Sequence, residues 1–218
     1  MANFTTVLWD LDGTIVDSSP GIYESFRATF AELQIECPSD EQLRSFMGPP
    51  LPITFGQLLG FDEELTQRAI HTYRKHYLPA GALNASLFPG VVELIQTCKD
   101  AHLAVALATS KGESGTRIVG EKYDFLRHFH FLGTASADDK RNTKSDVIAY
   151  ALDGLRDQGL DTSNVLLVGD RIHDVEGARE QGIQVALVEW GFGTADEWAQ
   201  ADFVAADTDA LAAYIGIA

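Results

Sequence analysis

The sequence has few cysteines, no long apolar run and no visible leader segment. Cys37 and Cys98 are the two cysteines among 218 residues, and they lie too far apart for a metal-binding spacing, so we expect both to be free, buried thiols. The apolar run from Leu103 to Ala108 is far too short to span a bilayer. The N-terminus shows no basic segment followed by an apolar one. We therefore expect a reducing, cytoplasmic setting and no membrane association.

Basic residues are also scarce, since 16 Lys and Arg stand against 32 Asp and Glu and give a net charge of −16. This balance argues against a nucleic-acid polymer or an anionic membrane surface as the main partner. An anionic substrate would need local cations, from a metal ion or from a few basic side chains. The length fits one large domain or a domain with a substantial insertion, as a monomer or a homodimer.

The stretch from Val7 to Thr14 predicts a buried strand that ends abruptly in an acidic turn. Asp10 and Asp12 are two residues apart, so their side chains would point the same way on an extended strand. Gly13 permits a tight or left-handed backbone just after them. Two carboxylates at the end of an apolar strand are costly unless a cation or another partner satisfies them. The alternative is an acidic turn without a chemical role.

The segment between Pro20 and Leu83 has helical patterns and no strand pattern. Its apolar residues repeat at helical spacing after the proline, and Ser39-Asp40-Glu41-Gln42 has the form of a capping box. Three prolines in the stretch Met47–Pro52 predict a stiff loop. We therefore predict an all-helical cap domain over residues 17–82, inserted into the rest of the chain.

From Pro89 onward, strand-like and helical segments alternate along the chain. Strand-like runs at Leu103–Ala108 and Val165–Val168 each lead directly into polar residues. Such alternation predicts an α/β fold with a doubly wound, Rossmann-like parallel sheet. We assign this catalytic core domain to residues 1–16 and 83–218.

Three polar clusters follow strand-like runs: Asp10 with Asp12, Thr109 with Ser110, and Asp170 with Asp174. Because ligands bind at the carboxyl ends of parallel strands, these clusters should converge at one edge of the sheet. Lys144, at the start of a predicted helix, would join them. Each cluster also has a structural alternative, since Thr109 and Ser110 could cap a helix and Lys144 could lie in solvent. Asp170 and Asp174 could likewise be turn and cap residues.

These residue types suit phosphoryl transfer. Asp10 and Asp170 would be hard oxygen ligands for Mg²⁺, and Asp10, ionised at neutral pH, could attack phosphorus. Asp12 could protonate the leaving oxygen and then take a proton from the water that releases the phosphate. Lys144 and the Thr109 hydroxyl would stabilise the phosphoryl oxygens.

The chain as a whole resembles the haloacid dehalogenase-like hydrolase superfamily. Its four motifs are matched by Asp10-x-Asp12-Gly13-Thr14, by Thr109 after an apolar run, by Lys144, and by Gly169-Asp170-x-x-x-Asp174. Met47-Gly48-Pro49-Pro50-Leu51 and Trp190-Gly191-Phe192-Gly193 are similar to its phosphoglycolate phosphatase and 5′-nucleotidase-like branch.

The resemblance implies roles for individual residues. Asp10 would be nucleophile and metal ligand, Asp12 an acid/base whose backbone carbonyl also binds Mg²⁺, and Asp170 a metal ligand. Asp174 would bind the metal directly or contact its ligands. The phosphoryl group would be bound by Thr109, Ser110, Lys144 and Gly13, with Lys140 as an alternative to Lys144.

The predicted function is Mg²⁺-dependent hydrolysis of small phosphorylated metabolites through an aspartyl-phosphate, of the phosphoglycolate phosphatase or 5′-nucleotidase type. Three alternatives stay open: a haloacid dehalogenase, a sugar phosphomutase, and a non-catalytic regulatory protein on the same scaffold. Substrate choice is assigned to the cap. Gly48 in the proline-rich loop and Arg44 just before it are candidate substrate contacts, Arg44 for a second anionic group.

Overall fold

The centre of the protein is a six-stranded parallel sheet. The structure is a computed structural model that describes residues 2–136 and 140–217. The strands are β1 (Thr6–Trp9), β2 (Val16–Asp17), β3 (Ser86–Leu87), β4 (Ala104–Gly112), β5 (Phe131–Ala135), β6 (Val165–Gly169), β7 (Gln184–Val188) and β8 (Phe203–Ala205). The order across the large sheet is β5-β4-β1-β6-β7-β8. The predicted doubly wound α/β fold is confirmed.

Helices cover both faces of this sheet. In chain order, the described α-helices are α1 (Ser19–Leu33), α2 (Asp40–Ser45), α3 (Glu63–Tyr77), α4 (Val91–Asp100), α5 (Glu113–Tyr123), α6 (Lys144–Arg156), α7 (Ile172–Gln181), α8 (Ala195–Trp198) and α9 (Thr208–Ile215). The first three belong to the helical insertion and not to the layers on the sheet. Neighbouring residues of β1 belong to different apolar clusters, with Val7 and Trp9 in one and Leu8 in the other. Because successive strand residues point to opposite faces, β1 is buried from both sides.

The helical insertion lies between β2 and β3, which pair antiparallel through Val16 with Leu87 and Asp17 with Ser86. It contains α1, α2, a π-helix over Ile53–Leu58, and α3. Its interior is aromatic: the rings of Phe26, Phe30, Phe55 and Tyr73 contact one another. The predicted capping box at Ser39 is present. The exact domain limits at 17 and 82 stay a prediction.

Several local details differ from the sequence expectations. The fourth strand continues past Ala108 to Gly112, with an irregular register between Thr109 and Gly112. The expectation that both cysteines are buried is wrong for Cys37, which is exposed, while Cys98 is buried. In residues 2–136 and 140–217, no helix is long and apolar enough to cross a membrane.

Candidate active site

The carboxyl ends of three adjacent strands form the floor of a cavity of about 440 Å³. Asp10 follows β1, Thr109 lies near the end of β4, and Asp170 follows β6 directly. The cavity is lined on this side by Asp10, Asp12, Thr109, Ser110, Lys144 and Asp174. The predicted convergence of the polar clusters is therefore present in the structure.

A cluster of buried carboxylates lies at this floor. Oxygens of Asp10, Asp170 and Asp174 lie within 4.8 Å of one another. Asp170 Oδ2 accepts a hydrogen bond from the Phe192 amide at 2.7 Å, whereas its buried Oδ1 has no hydrogen-bond partner in the described part of the chain. An unpartnered carboxylate oxygen in a cluster of three carboxylates is suited to bind a cation.

The electrostatics of the cluster point the same way. Burial raises the pKa of Asp10 to about 6, although the adjacent Lys144 lowers it. Burial, together with the nearby Asp174 and Asp10 carboxylates, also raises the pKa of Asp170 well above its usual value. The protein alone therefore disfavours a state in which Asp10 and Asp170 are both ionised. A divalent cation would add positive charge at this place and favour the ionised forms.

Lys144 is held against the nucleophile candidate from two directions. Its Nζ lies 2.8 Å from Asp10 Oδ1 and 2.7 Å from Asp174 Oδ1, and it donates a hydrogen bond to the Ala108 carbonyl at 3.0 Å. Burial opposes the charged form, but Asp10 and Asp174 outweigh it and raise the pKa of the lysine. A Cβ at Gly177 would lie 2.7 Å from Lys144 Cγ, so glycine makes room for the lysine stem. Lys144 therefore lies beside Asp10, as predicted, and is buried and not in solvent.

Thr109 and Ser110 both line the cavity, the first buried and the second half-buried. The Thr109 hydroxyl accepts a hydrogen bond from the Lys111 amide at 3.2 Å. Gly112 is the N-cap of α5, so the alternative role of Thr109 and Ser110 as helix caps does not hold for this helix.

Two glycines allow the backbone to approach Asp170 closely. Gly13 has a φ of +82°, and a Cβ there would lie 2.0 Å from Asp170 Oδ2. A Cβ at Gly191 would lie 2.4 Å from Asp170 Cβ and 2.4 Å from the Gly13 carbonyl oxygen. Sequence reasoning assigned Gly13 to phosphate binding and gave Gly191 no role. Here both allow loops to pack on Asp170.

Asp12 pairs with Lys111, a residue to which the sequence analysis gave no role at the site. Lys111 Nζ lies 2.9 Å from Asp12 Oδ1 and 2.8 Å from Oδ2, and it also donates a hydrogen bond to the Tyr77 hydroxyl. Burial lowers the pKa of Lys111, but Asp12 and Tyr77 outweigh that effect and raise it. The position of Lys111 directly after Thr109-Ser110 could have indicated that Lys111 lies at the site. No local sequence feature indicates that Tyr77 contacts it.

The two predicted cap contacts occupy different places. Gly48, with a φ of +106°, lines the main cavity and packs on the Arg171 side chain. Arg44 is exposed and lines a separate cavity of about 200 Å³ together with Asp17. The structure thus brings Gly48, but not Arg44, to the cavity that contains Asp10.

Three arginines that the sequence analysis left out line the main cavity: Arg74, Arg141 and Arg171. Arg74 lines it from α3, and its side chain has no ion-pair or hydrogen-bond partner within the described ranges. Arg171 Nε lies 3.0 Å from Glu197 Oε1, and Nη1 donates a hydrogen bond to the carbonyl of Met47. Arg171 therefore connects the proline-rich cap loop to the core.

Comparison with known proteins agrees with this geometry. The sequence profile of a family described as haloacid dehalogenase-like hydrolase matches residues 7–188. The tyrosine-protein kinase PtkA of Mycobacterium tuberculosis is 37% identical over 190 residues, 87% of this chain, and the chain spans 64% of that relative's length. The 5′-nucleotidase of Pseudomonas aeruginosa is 34% identical over 194 residues, 89% of this chain and 86% of the relative. A solved haloacid dehalogenase-like family hydrolase from Streptococcus pneumoniae superposes with a TM-score of 0.85 at 31% identity, covering 97% of this chain and 98% of that one.

Proposed function

The chain belongs to the haloacid dehalogenase-like hydrolase family, and on that premise we propose that it is a Mg²⁺-dependent phosphomonoesterase acting on small phosphorylated metabolites. The observation that carries the proposal is the placement of Asp10 and Asp12 at one cavity, each with its own lysine. One carboxylate is thereby available to attack phosphorus and the other to move a proton. The predicted phosphoglycolate phosphatase or 5′-nucleotidase type is part of this proposal.

In the proposed reaction a carboxylate oxygen of Asp10 attacks phosphorus, and the bond from phosphorus to the ester oxygen breaks. Asp12 in its acid form gives a proton to the departing oxygen, which leaves as an alcohol. Asp12 then takes a proton from a water molecule whose oxygen attacks phosphorus, and the bond from phosphorus to Asp10 breaks. The cycle ends with inorganic phosphate, an ionised Asp10 and a protonated Asp12. Lys144 and Thr109 orient the nucleophile and the phosphoryl oxygens.

A Mg²⁺ ion would be held by Asp10 and Asp170, with the backbone carbonyl of Asp12 as a further ligand. The orphaned Oδ1 of Asp170 supports this assignment. Asp174 is better suited to orient its neighbours, because its Oδ1 pairs with Lys144 and its Oδ2 accepts from two backbone amides at 3.0 Å. When bound, the ion would screen the repulsion between the Asp10 carboxylate and the phosphate.

The alternatives from the sequence differ in what they require. A haloacid dehalogenase needs no acid for its leaving group and no metal, so it would leave Asp12 and Asp170 without a role. A non-catalytic protein would not need every acidic position to be intact. A phosphomutase would use the same machinery and differ in the cap, and it therefore requires a separate measurement.

The similarity to PtkA favours a second candidate, transfer of the phosphoryl group to a tyrosine hydroxyl. The acceptor oxygen would then take the place of the attacking water, and Asp12 would take its proton. The floor of the site would be the same in both reactions. A kinase would differ by retaining the phosphoryl group on a product and releasing little inorganic phosphate.

The test is phosphate release with Mg²⁺ from p-nitrophenyl phosphate, 2-phosphoglycolate, 5′-nucleotides, sugar phosphates and pyrophosphate. We expect several to be hydrolysed, and Asp10→Asn to lower turnover at least about 10³-fold because it removes the attacking charge. Asp153→Asn, which alters an exposed aspartate on α6, is the matched control and should retain activity. Substantial activity in folded Asp10→Asn would contradict the assigned nucleophile.

Two further measurements separate the rival reactions. Labelled ATP with a tyrosine-containing polymer would give labelled polymer for a kinase and labelled inorganic phosphate for a hydrolase. Phosphorus NMR of sugar phosphates would reveal a positional isomer for a mutase. We expect inorganic phosphate to be the main product in both.

A further inference from the structure

The acid/base candidate Asp12 is joined to the cap by a chain of contacts. The Lys111 ammonium contacts both carboxylate oxygens of Asp12, at 2.8 and 2.9 Å, and the Tyr77 hydroxyl as well. It also lies 4.6 Å from the centre of the Tyr77 ring. Asp12 and Lys111 belong to the core, whereas Tyr77 is the last residue of cap helix α3. The contact chain therefore crosses the boundary between core and cap.

This chain of contacts is shielded from water. The side chain of Lys111 is 7% exposed and that of Asp12 is 19% exposed, and Tyr77 is buried. An ion pair in such surroundings is strong and directional, unlike the exposed pairs elsewhere on the molecule. Contact with both oxygens also fixes the plane of the carboxyl group. Lys111 therefore determines which way an Asp12 oxygen faces.

Tyr77 is in turn anchored in the aromatic interior of the cap. Its ring stacks on Tyr73 with centres 5.4 Å apart and planes 11° apart, and Tyr73 contacts Phe26 and Phe55. A hydroxyl fixed by stacked rings moves only when the helix moves. Displacing α3 would consequently remove one partner of Lys111.

Resting on the proposed phosphatase activity, we propose that Lys111 is a positioning residue for Asp12, and that Tyr77 makes this positioning depend on the docking of cap helix α3. A carboxyl group that carries a proton on one oxygen still accepts from Lys111 on the other. The proton-bearing oxygen gives up its contact with the ammonium and turns toward the cavity that Asp12 lines, where the ester oxygen of the substrate would lie. Proton delivery is thus favoured while the cap covers the site.

The test uses the dependence on the leaving group. p-Nitrophenolate departs with little help from an acid, whereas an alkyl alcohol oxygen needs a proton as it leaves. The parameter is kcat/KM, because it covers the steps through ester cleavage and is insensitive to later hydrolysis of the phosphorylated Asp10. The substrates are p-nitrophenyl phosphate and two alkyl esters, 2-phosphoglycolate and adenosine 5′-monophosphate.

We expect Lys111→Met to lower kcat/KM for the alkyl esters about ten- to a hundredfold more than for p-nitrophenyl phosphate, since small misplacements of a catalytic group are costly. Lys111→Arg should recover part of the loss, because it keeps a charged donor. Tyr77→Phe retains the ring and its stacking, and should show the same selectivity at about three- to tenfold. A role in folding alone would not discriminate between leaving groups.

Two control variants make the same kinds of substitution at exposed contacts that involve neither Asp12 nor Lys111. Lys75→Met removes an ion pair with Glu32 on the outer face of α3, and Tyr214→Phe removes a hydroxyl contact to Gln184 at 3.1 Å. Both should leave the ratio between the two substrate types unchanged. Thermal unfolding of each variant confirms that it is folded.

The possible failures are distinguishable. Equal losses on all substrates would show that Lys111 binds the phosphoryl group or supports the fold, and would overturn the inference while leaving phosphatase activity intact. A wild type that cleaves p-nitrophenyl phosphate but neither alkyl ester would also overturn it. A wild type that releases no phosphate from any ester would overturn the proposed function itself.

Discussion

The two walls of the cavity are built in different ways. The core wall is dense in charge, and its charged groups hold one another, as Lys144 does with Asp10 and Asp174. The cap wall is mainly apolar, formed by aromatic rings and the proline-rich loop Met47–Pro52. The core wall is therefore suited to chemistry on a phosphoryl group that every substrate shares. The cap wall is suited to choose among leaving groups.

This difference has a consequence for mutations. Changes in the core wall should affect all substrates alike, because they act on the phosphoryl group or the metal. Changes in the cap wall should affect substrates unequally. Polar contacts between the walls include the bond from Arg171 to the Met47 carbonyl and that from Lys111 to Tyr77.

The largest expected effect comes from removing the divalent cation. EDTA should reduce phosphate release to background for every substrate, and Mg²⁺ should restore it, since burial opposes the ionised forms of Asp10 and Asp170 and a bound cation would favour them. Mg²⁺ should also raise the unfolding temperature, in line with about 2.7 kcal/mol at a hundredfold excess over Kd. Full activity in the chelator would contradict the proposed metal.

A smaller effect is expected for Asp170→Asn. This variant should be more stable than the wild type without metal, and less active with metal. The amide oxygen can still accept from Phe192, and the variant removes a buried charge next to Asp10 and Asp174. In EDTA its free energy of unfolding should rise by roughly 1 kcal/mol. In Mg²⁺ its activity should fall about 10²-fold and the metal-induced shift in unfolding temperature should disappear.

The exposed Asp209→Asn on α9 is the control for this experiment. It should change neither the stability in EDTA nor the response to Mg²⁺. A destabilised Asp170→Asn in EDTA would show that the ionised carboxylate is favourable without metal.

The smallest and most selective effect concerns the cap arginines. Arg74 lines the main cavity, so Arg74→Ala should raise KM about tenfold for 2-phosphoglycolate, which carries a second anionic group, and leave p-nitrophenyl phosphate nearly unchanged. Arg44→Ala should have little effect, because Arg44 lines the other cavity. The exposed Arg68→Ala, also on α3, is the matched control. A selective loss in Arg44→Ala would instead favour the sequence-based assignment.

Much of the core wall could be predicted from the sequence. Polar residues directly after buried apolar runs mark strand ends, and parallel strands bring those ends together, which places Asp10, Thr109 and Asp170 without further information. Lys144 was predicted from its place in the order of the motifs, because a helix start alone fits a solvated lysine equally well. The predictions at the strand ends used only the local sequence pattern and the rule that ligands bind at the carboxyl ends of parallel strands.

The cap side could not be predicted in the same way. Helical spacing correctly gave its helices, but the orientation of α2 and α3 relative to the core depends on packing between distant residues. Helical spacing therefore could not show that Arg44 lines a separate cavity or that Tyr77 contacts Lys111. The pairing of Val16 with Leu87 also went unnoticed, since two-residue strands are too short to show alternation.

That short antiparallel pairing makes the cap, in topological terms, the loop of a β-hairpin. The chain leaves the core at Asp17 and returns at Ser86, and these two residues are paired directly. The entropy of closing a loop grows only slowly with its length. A hairpin loop can thus grow or shrink without rerouting the strands that carry Asp10 and Thr109. The cap, to which we assign substrate choice, can therefore change in length or sequence at one junction while the residues of the core wall keep their positions.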